Sequence, residues 1–132
     1  MLLISDDSLG IVTVFQEAEG EPYEGKVAVA EVILRRTARK YMSDGTVAGT
    51  IFRKYQFSGM NSDSANRIRS FKIDTEDHIV QDCIRAWTEA KCGSNYSAGA
   101  MHYYNPKAVS PVWATNAPVL ARIGNHVFVD AK

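Results

Sequence analysis

Residues 22–41 read PYEGKVAVAEVILRRTARKY, and this stretch decides the fold. Apolar residues recur along it at the spacing of a helix, with others alongside: Val27, Ala28, Ala30, Val32 and Leu34. Pro22 suits the first position of such a helix, because its missing N–H would have no partner there. A helix with so wide an apolar face buries most of its surface. We therefore expect it to lie at the centre of a mainly helical domain.

A second helix is predicted before this central one, and a third after it. Asp6, Asp7 and Ser8 can cap a helix that begins near Leu9 and that Gly20 ends or kinks. Its apolar stripe consists of Ile11, Val14, Phe15 and Ala18. Beyond the central helix, residues 46–55 are expected to form a short helix, and residues 56–73 a polar surface loop.

One more helix is predicted in the second half of the chain, and after it the sequence pattern changes from helical to β-prone. Thr75 is expected to cap that helix, with Glu76 and Asp77 in its first turn, where the helix dipole favours acids. Its buried stripe is Ile79, Cys83, Ala86, Trp87 and Ala90, and Gly93 is a natural stop.

The C-terminal part predicts a small β element. Residues 101–104 are β-prone, and two short runs, 119–123 and 126–129, flank Gly124-Asn125, a pair typical of a tight hairpin. We expect an α+β fold, mainly helical, with a small β-hairpin element, in a single domain over residues 1–132.

Composition limits the possible partners. The 132 residues carry 15 basic and 15 acidic side chains, which removes the simplest argument for nucleic acid. Residues 1–31 are mostly acidic and residues 32–72 mostly basic. The basic part could attract an anionic polymer, or the two parts could be solvated faces that balance each other.

Targeting signals and cysteine chemistry are not evident. The N-terminus lacks the basic region of a signal peptide, and no stretch approaches the ~20 apolar residues of a membrane span. The expectation is a protein made in the cytoplasm without membrane insertion.

Cys83 and Cys92 would lie about 13 Å apart on one helix, too far for a disulfide, so we expect free structural thiols.

The carboxylates of Glu17 and Glu21 are the first candidates for chemistry. If the first helix continued, they would lie near one face, and their repulsion would raise the pKa of at least one. Apolar neighbours would raise it further. A carboxylic acid that stays protonated near neutral pH can give a proton to the leaving oxygen of a glycosidic bond. The alternative is a group of solvated glutamates at a helix end.

Several segments together resemble the SleB/CwlJ-like cell wall hydrolases. The run EAEGEPYEGKVAVA (17–30) resembles the family's E-A-R-G-E-P-x-x-G-x-x-A-V-A opening, and EVILRR (31–36) its V-I-L-N-R. Further matches in the same order are QFS (56–58), GAMHYYNP (99–106), Trp113 and IGNHVF (123–128). Two positions depart from the pattern: Glu19 replaces an arginine, and Arg35 replaces an asparagine.

The resemblance implies a lysozyme-like fold, related to goose-type lysozymes and lytic transglycosylases. It implies cleavage of peptidoglycan between N-acetylmuramic acid and N-acetylglucosamine, with Glu17 as general acid. One carboxyl group that serves as acid and then as base gives a transglycosylase. A muramidase would need a second carboxylate to activate water, for which Glu21 is the near candidate in sequence. No cofactor is implied. The partner would be the glycan strand of a cell wall, as for a phage or bacterial lysin.

The remaining site candidates have both functional and structural interpretations. Gln56 and Ser58 could bind the sugar or its N-acetyl group, or satisfy the backbone of a polar loop. Tyr103 and Tyr104 point to opposite sides of a strand, and Tyr104 is preferred for the cleft. The other substrate-binding candidates are Glu21, Asn105, which could instead be a turn residue before proline, and Trp113, which could instead pack the β element.

Two other functions are open. An amidase acting on the same polymer would need a metal or a thiolate. The three histidines, His78, His102 and His126, show no ligand spacing, so no metal is predicted. A non-catalytic wall-binding module of the same fold is the other alternative.

Overall fold

The computed structural model describes residues 5–53, 57 and 73–131. Within these residues the elements, in chain order, are helices α1 (Asp6–Ala18), α2 (Tyr23–Arg39), α3 (Val47–Ile51) and α4 (His78–Lys91), strand β1 (His102–Tyr104), a 3₁₀ turn (Val112–Ala114), and strands β2 (Val119–Ile123) and β3 (His126–Val129). The architecture is the mainly helical α+β class expected from the sequence, and no described helix is long and apolar enough to cross a membrane.

Helix α2 lies at the centre, as its wide apolar face predicts. It packs against α1, α3 and α4. Six of its residues have no exposed surface: Val27, Ala28, Val29, Ala30, Val32 and Ile33. Burying a valine or isoleucine side chain fully stabilises the fold by about 1.5–3 kcal/mol, so this helix is the main source of apolar burial.

Helix α1 begins three residues before the position expected from its apolar stripe. Ser5, rather than Asp6, Asp7 or Ser8, is the N-cap, and its hydroxyl accepts the N–H of Ser8 at 3.1 Å. Asp7 is therefore free to accept hydrogen bonds from Trp87 Nε1 at 2.8 Å and Lys91 Nζ at 2.9 Å. These bonds join α1 to α4.

Gly10 lets α1 and α4 approach closely. A Cβ at this position would lie 2.2 Å from Cη2 of Trp87, which is closer than atoms can pack. Trp87 is only 2% exposed, so its indole fills the space that the glycine leaves. The fit between these two residues fixes the spacing of the two helices.

The other helix boundaries also shift. Asp77, not Thr75, caps α4 and accepts the N–H of Ile79 at 2.8 Å, so the predicted first-turn acids lie just before the helix. The short helix expected over residues 46–55 is α3, which Thr46 caps and which ends at Ile51. The loop expected over residues 56–73 lies outside the described residues except for Phe57 and Ile73.

The three strands form an antiparallel sheet in the order β1-β3-β2. The hairpin of β2 and β3 has the predicted bounds, and Gly124 in its turn has a φ of 57°, which glycine adopts without strain. The inner face of the sheet packs on the helices and carries Tyr103, His126 and Phe128. The outer face carries Tyr104, Val127 and Val129, packed with Ala117 and Ala131.

The cysteines are free, as expected. Cys83 is buried, and burial raises the pKa of its thiol to about 12. Cys92 is exposed and follows the last residue of α4. The high pKa of Cys83 keeps its thiol protonated, so this residue does not support a thiolate nucleophile.

Candidate active site

Glu17 lies in the last turn of α1, where its side chain is mostly enclosed but retains some exposed surface. Its Oε1 atom accepts a hydrogen bond from the hydroxyl of Tyr103 at 2.6 Å. Oε1 is thus engaged with a neutral donor, which leaves Oε2 as the oxygen available to carry the proton when the group is protonated. A carboxyl group in this arrangement is suited to proton transfer.

Burial raises the pKa of Glu17 and is the largest influence on it. The hydrogen bond from Tyr103 and the positive charge of Arg36 act in the opposite direction, but the net shift is upward. The expected repulsion from Glu21 is not among the causes, because α1 ends at Ala18 and the chain turns before Glu21. Of the two causes predicted for a raised pKa, the apolar surroundings agree with the effect of burial, and the repulsion from Glu21 does not contribute.

Arg36 is the positive charge near this carboxyl group. It is 5% exposed, and its Nε donates to the carbonyl of Met101 at 2.7 Å. Its guanidinium lies over the rings of Tyr41 at 5.9 Å and Phe57 at 5.5 Å. Burial lowers its pKa, but a guanidinium remains charged at any pH at which the protein is folded. Arg36 can therefore stabilise Glu17 after the glutamate has lost its proton.

Tyr103 is the tyrosine that contacts Glu17, whereas Tyr104 was preferred from the sequence. The ring of Tyr103 packs against His126 at 4.9 Å and Phe128 at 5.6 Å between centroids. Burial raises the pKa of Tyr103 well above its ordinary value, so the phenol remains a neutral donor. The sequence does not reveal this choice, because it depends on the register that places Tyr103 opposite Phe128, and residues opposite each other in neighbouring strands share a face.

Glu21 binds the hairpin turn. Its Oε1 accepts the backbone N–H of Asn125 at 2.7 Å, and its Oε2 accepts the side-chain amide of Asn125 at 2.9 Å. Both oxygens already have donors in this structure. The Glu21 carboxylate thus anchors the β2–β3 turn.

The remaining candidates separate into two groups. Gln56 and Ser58 lie outside the described residues. Asn105 accepts the N–H of Lys107 at 2.9 Å, which is the turn interaction left open as its alternative role.

Tyr104 and Trp113 are close together, with ring centroids 5.8 Å apart. The indole is 49% exposed and lines a groove of about 440 Å³ that also includes Asn116, Pro118 and Asp130. Because Tyr104 belongs to the outer face of the sheet and Tyr103 to the inner face, this groove is on the other side of the sheet from the contact with Glu17.

One of the two departures from the family pattern, Arg35, makes side-chain hydrogen bonds. Arg35 donates to Ser97 Oγ at 3.1 Å, to Asn95 Oδ1 at 3.1 Å, and to the carbonyl of Ala100. These bonds hold residues 95–100, which precede β1, against α2. At the other position, the backbone carbonyl of Glu19 accepts from Lys26 Nζ at 3.2 Å, a bond that does not depend on the side chain at this position.

The histidines are dispersed. His78 is exposed at the start of α4. His102 bonds to the hydroxyl of Tyr41 at 3.0 Å, and burial lowers its pKa to about 4. Among the described residues no group of three or more histidine, cysteine, aspartate or glutamate side chains is arranged to hold a metal ion.

Comparison with known proteins defines the class. The chain belongs to the cell wall hydrolase family, whose sequence profile matches residues 20–129. The matched region includes Glu21 but begins after Glu17, so this match does not test a role for Glu17.

The similar curated proteins are spore cortex-lytic enzymes. The one from Bacillus subtilis strain 168 is 34% identical over 117 residues, which are 89% of this chain and 35% of that protein. The one from Oceanobacillus iheyensis is 35% identical over 124 residues, covering 94% of this chain and 41% of that protein. The chain thus spans less than half the length of these relatives.

The similar solved structures are two catalytic domains. That of the Bacillus cereus SleB protein has a TM-score of 0.77 and 29% identity, covering 94% of this chain and 88% of that one. That of the germination-specific lytic transglycosylase SleB from Bacillus anthracis has a TM-score of 0.77 and 28% identity, covering 98% of each chain. The expected lysozyme-like fold class is confirmed by this similarity.

Proposed function

We propose that the chain is a peptidoglycan-degrading glycosidase that cleaves the bond between N-acetylmuramic acid and N-acetylglucosamine, with Glu17 as general acid and base. The observation that carries the proposal is the enclosed carboxyl group of Glu17, whose pKa is raised by burial and whose Oε1 atom is bound by Tyr103. The family assignment and the similar lytic transglycosylase domain support the same reaction class.

In the first step the neutral Glu17 gives its proton from Oε2 to the glycosidic oxygen. The bond from that oxygen to C1 of the muramic sugar breaks, its electron pair stays with the leaving oxygen, and C1 gains positive charge. Arg36 and Tyr103 stabilise the carboxylate that results, because both interactions favour its charged form.

In the second step the Glu17 carboxylate takes a proton from an attacking hydroxyl group. If the C6 hydroxyl of the muramic sugar attacks C1, the product is a 1,6-anhydro sugar and no water is consumed. If water attacks, the product is a reducing end. We favour the anhydro product because Glu21, the expected second carboxylate, is bound by Asn125 through both oxygens.

Substrate binding is proposed for the 56–58 segment and for residues on the outer face, where a long glycan strand would contact the protein on the other side of the sheet from the Tyr103–Glu17 contact. Trp113 offers a half-exposed ring to a sugar face, and Tyr104 packs beside it. Asn105, Gln56 and Ser58 are proposed to bind sugar hydroxyl or N-acetyl groups, the last two from their sequence resemblance. Glu21 would contribute indirectly, through the hairpin turn. Residues 1–132 would form one catalytic domain that acts on the glycan strands of a cell wall.

Mass spectrometry of purified peptidoglycan after digestion tests the proposal. The parent protein should release fragments that end in anhydromuramic acid, and Glu17→Gln should release none while still binding the wall. Glu24→Gln is the matched control, because Glu24 is an exposed glutamate in the first turn of α2. Free peptides would indicate an amidase, and a parent protein that binds without releasing fragments would indicate a binding module.

A further inference from the structure

The hairpin turn and the α1–α2 turn fit closely together. Glu21 accepts two hydrogen bonds from Asn125, and a Cβ at Gly124 would lie 2.5 Å from Glu21 Oε1 and 2.7 Å from Pro22 Cδ. There is no space for a side chain between the two turns. Glu21, four residues after Glu17 in the sequence, therefore sets the position of the hairpin.

This contact places His126 beside the tyrosine of the active site. His126 follows Asn125 directly and is 8% exposed. Its Nδ1 lies 3.8 Å from Oε1 of Glu21 and has no hydrogen-bond partner among the described residues. Its ring packs against that of Tyr103 with centroids 4.9 Å apart and an interplanar angle of 57°.

We propose that His126 and Glu21 are positioning residues for Glu17, and that they act through Tyr103. Glu21 fixes the hairpin turn, the turn fixes the imidazole, and the imidazole with Phe128 holds the phenol so that its hydroxyl stays on Oε1 of Glu17. The proton of the acid is thereby kept on Oε2. This inference rests on the proposed function of Glu17.

The geometry explains why a flat ring is needed at position 126. The Tyr103 hydroxyl is at the far end of a side chain from strand β1, so a small rotation of the ring moves it away from Glu17. His126 and Phe128 lie on the same face of β3 and both contact this ring. A displacement of about 1 Å in a catalytic group can reduce a rate by about 100-fold, so the packing around Tyr103 affects the chemical step.

Kinetics on purified peptidoglycan separate positioning from a structural role. His126→Ala should lower kcat by about tenfold with KM changed less than about twofold, and it should move the alkaline limit of activity to higher pH. The limit moves because the Tyr103 hydrogen bond, which lowers the pKa of Glu17, is weakened. His126→Phe keeps a flat ring and should restore most of kcat. His78→Ala, at an exposed histidine, should leave every parameter unchanged.

A double-variant cycle gives the second test. Tyr103→Phe already removes the hydroxyl, so adding His126→Ala should reduce kcat little further. Glu21→Gln keeps an acceptor for one of the two Asn125 bonds and should show a smaller loss than Glu21→Ala. These conservative variants also keep the test available if His126→Ala does not fold.

Additive losses in the double variant, with the alkaline limit unmoved and only the melting temperature lowered, would overturn the positioning role while leaving Glu17 as the acid. Full activity in Glu17→Gln would overturn both proposals. The two failures are therefore distinguishable.

Discussion

Tyr103 on the inner face of the small sheet and Tyr104 on its outer face are neighbours in β1 but have different contacts. On the inner face, Tyr103 is partly buried against the core and donates a hydrogen bond to the carboxyl group of Glu17. On the outer face, Tyr104 packs beside Trp113, whose ring is 49% exposed along an open groove. The inner face can change the pKa of an acid, and the half-exposed Trp113 beside the outer face can present a ring to a large substrate. Adjacent tyrosines of one strand thus serve different parts of the proposed reaction.

The largest expected effect is the loss of kcat on replacing Tyr103, in comparison with Tyr104. Tyr103→Phe should lower kcat by about 10- to 100-fold, because the phenol no longer fixes Oε1 of Glu17. The hydrogen bond lowers the pKa of Glu17, so its loss should move the alkaline limit of activity to higher pH. Steady-state rates across pH provide the measurement. Tyr104→Phe is the control and should change kcat less than about twofold; equal losses in both variants would remove the contrast.

The next effect concerns the helical body that supports the inner face. Gly10→Ala should destabilise the protein by about 1–3 kcal/mol, because the new Cβ would overlap the indole of Trp87. Denaturant unfolding measures this loss. The alkaline limit of activity should stay in place, because the atoms nearest the new Cβ belong to Trp87 and not to the proposed active site. A shift of that limit would mean that the active site is coupled to the spacing of α1 and α4.

The outer face should respond in binding rather than in chemistry. Trp113→Ala should weaken binding of a glycan fragment by about 3- to 10-fold, which corresponds to the ~0.5–1.5 kcal/mol of an aromatic contact, and should leave the pH profile unchanged. The chain has two tryptophans, and Trp87 is 2% exposed, so a ligand-dependent change in fluorescence reports on Trp113. Fluorescence that stays constant as saturating glycan is added would argue against binding in the groove.

The smallest expected effect lies away from both faces, at Asp7. The hydrogen bonds from Lys91 and Trp87 lower the pKa of Asp7, so the folded protein gains stability above the unfolded pKa of this group and loses it as the pH falls through the folded value. Asp7 is exposed, so Asp7→Asn should cost less than about 1 kcal/mol at pH 7. Thermal unfolding of the two proteins should converge at acidic pH. A difference that persists at low pH would assign the effect to the Trp87 bond alone.

The sequence predicts the elements of the fold well but their ends less well. The hairpin is predicted residue by residue, because Gly124-Asn125 between two apolar runs leaves one turn available. The caps predicted for α1 and α4 differ from the observed caps, Ser5 and Asp77, by a few residues. Several neighbouring residues at each helix start can cap, and the local sequence does not rank Ser5 above Asp6 or Asp77 above Thr75.

The candidate site shows a similar limit. Glu17 is predicted as the candidate acid from its apolar neighbours and from the family resemblance. Its partner Tyr103 is not, because the contact depends on the register between β1 and β3 and on the packing of that sheet against α1. The contact of Glu21 with the hairpin is also not predicted, because its spacing from Glu17 indicates a shared helix face. In the structure α1 ends at Ala18, and Glu21 binds the hairpin turn instead.

The most direct test of the account is the titration of Glu17 itself. Carbon-detected NMR of its side-chain carboxyl group, assigned with Glu17→Gln, gives its pKa in the folded protein. The account predicts a value above that of ordinary glutamates, and a loss of peptidoglycan cleavage as the pH rises through that same value, because burial favours the neutral acid. A Glu17 that titrates in the ordinary range, or that ionises well below the pH at which activity is lost, would contradict it.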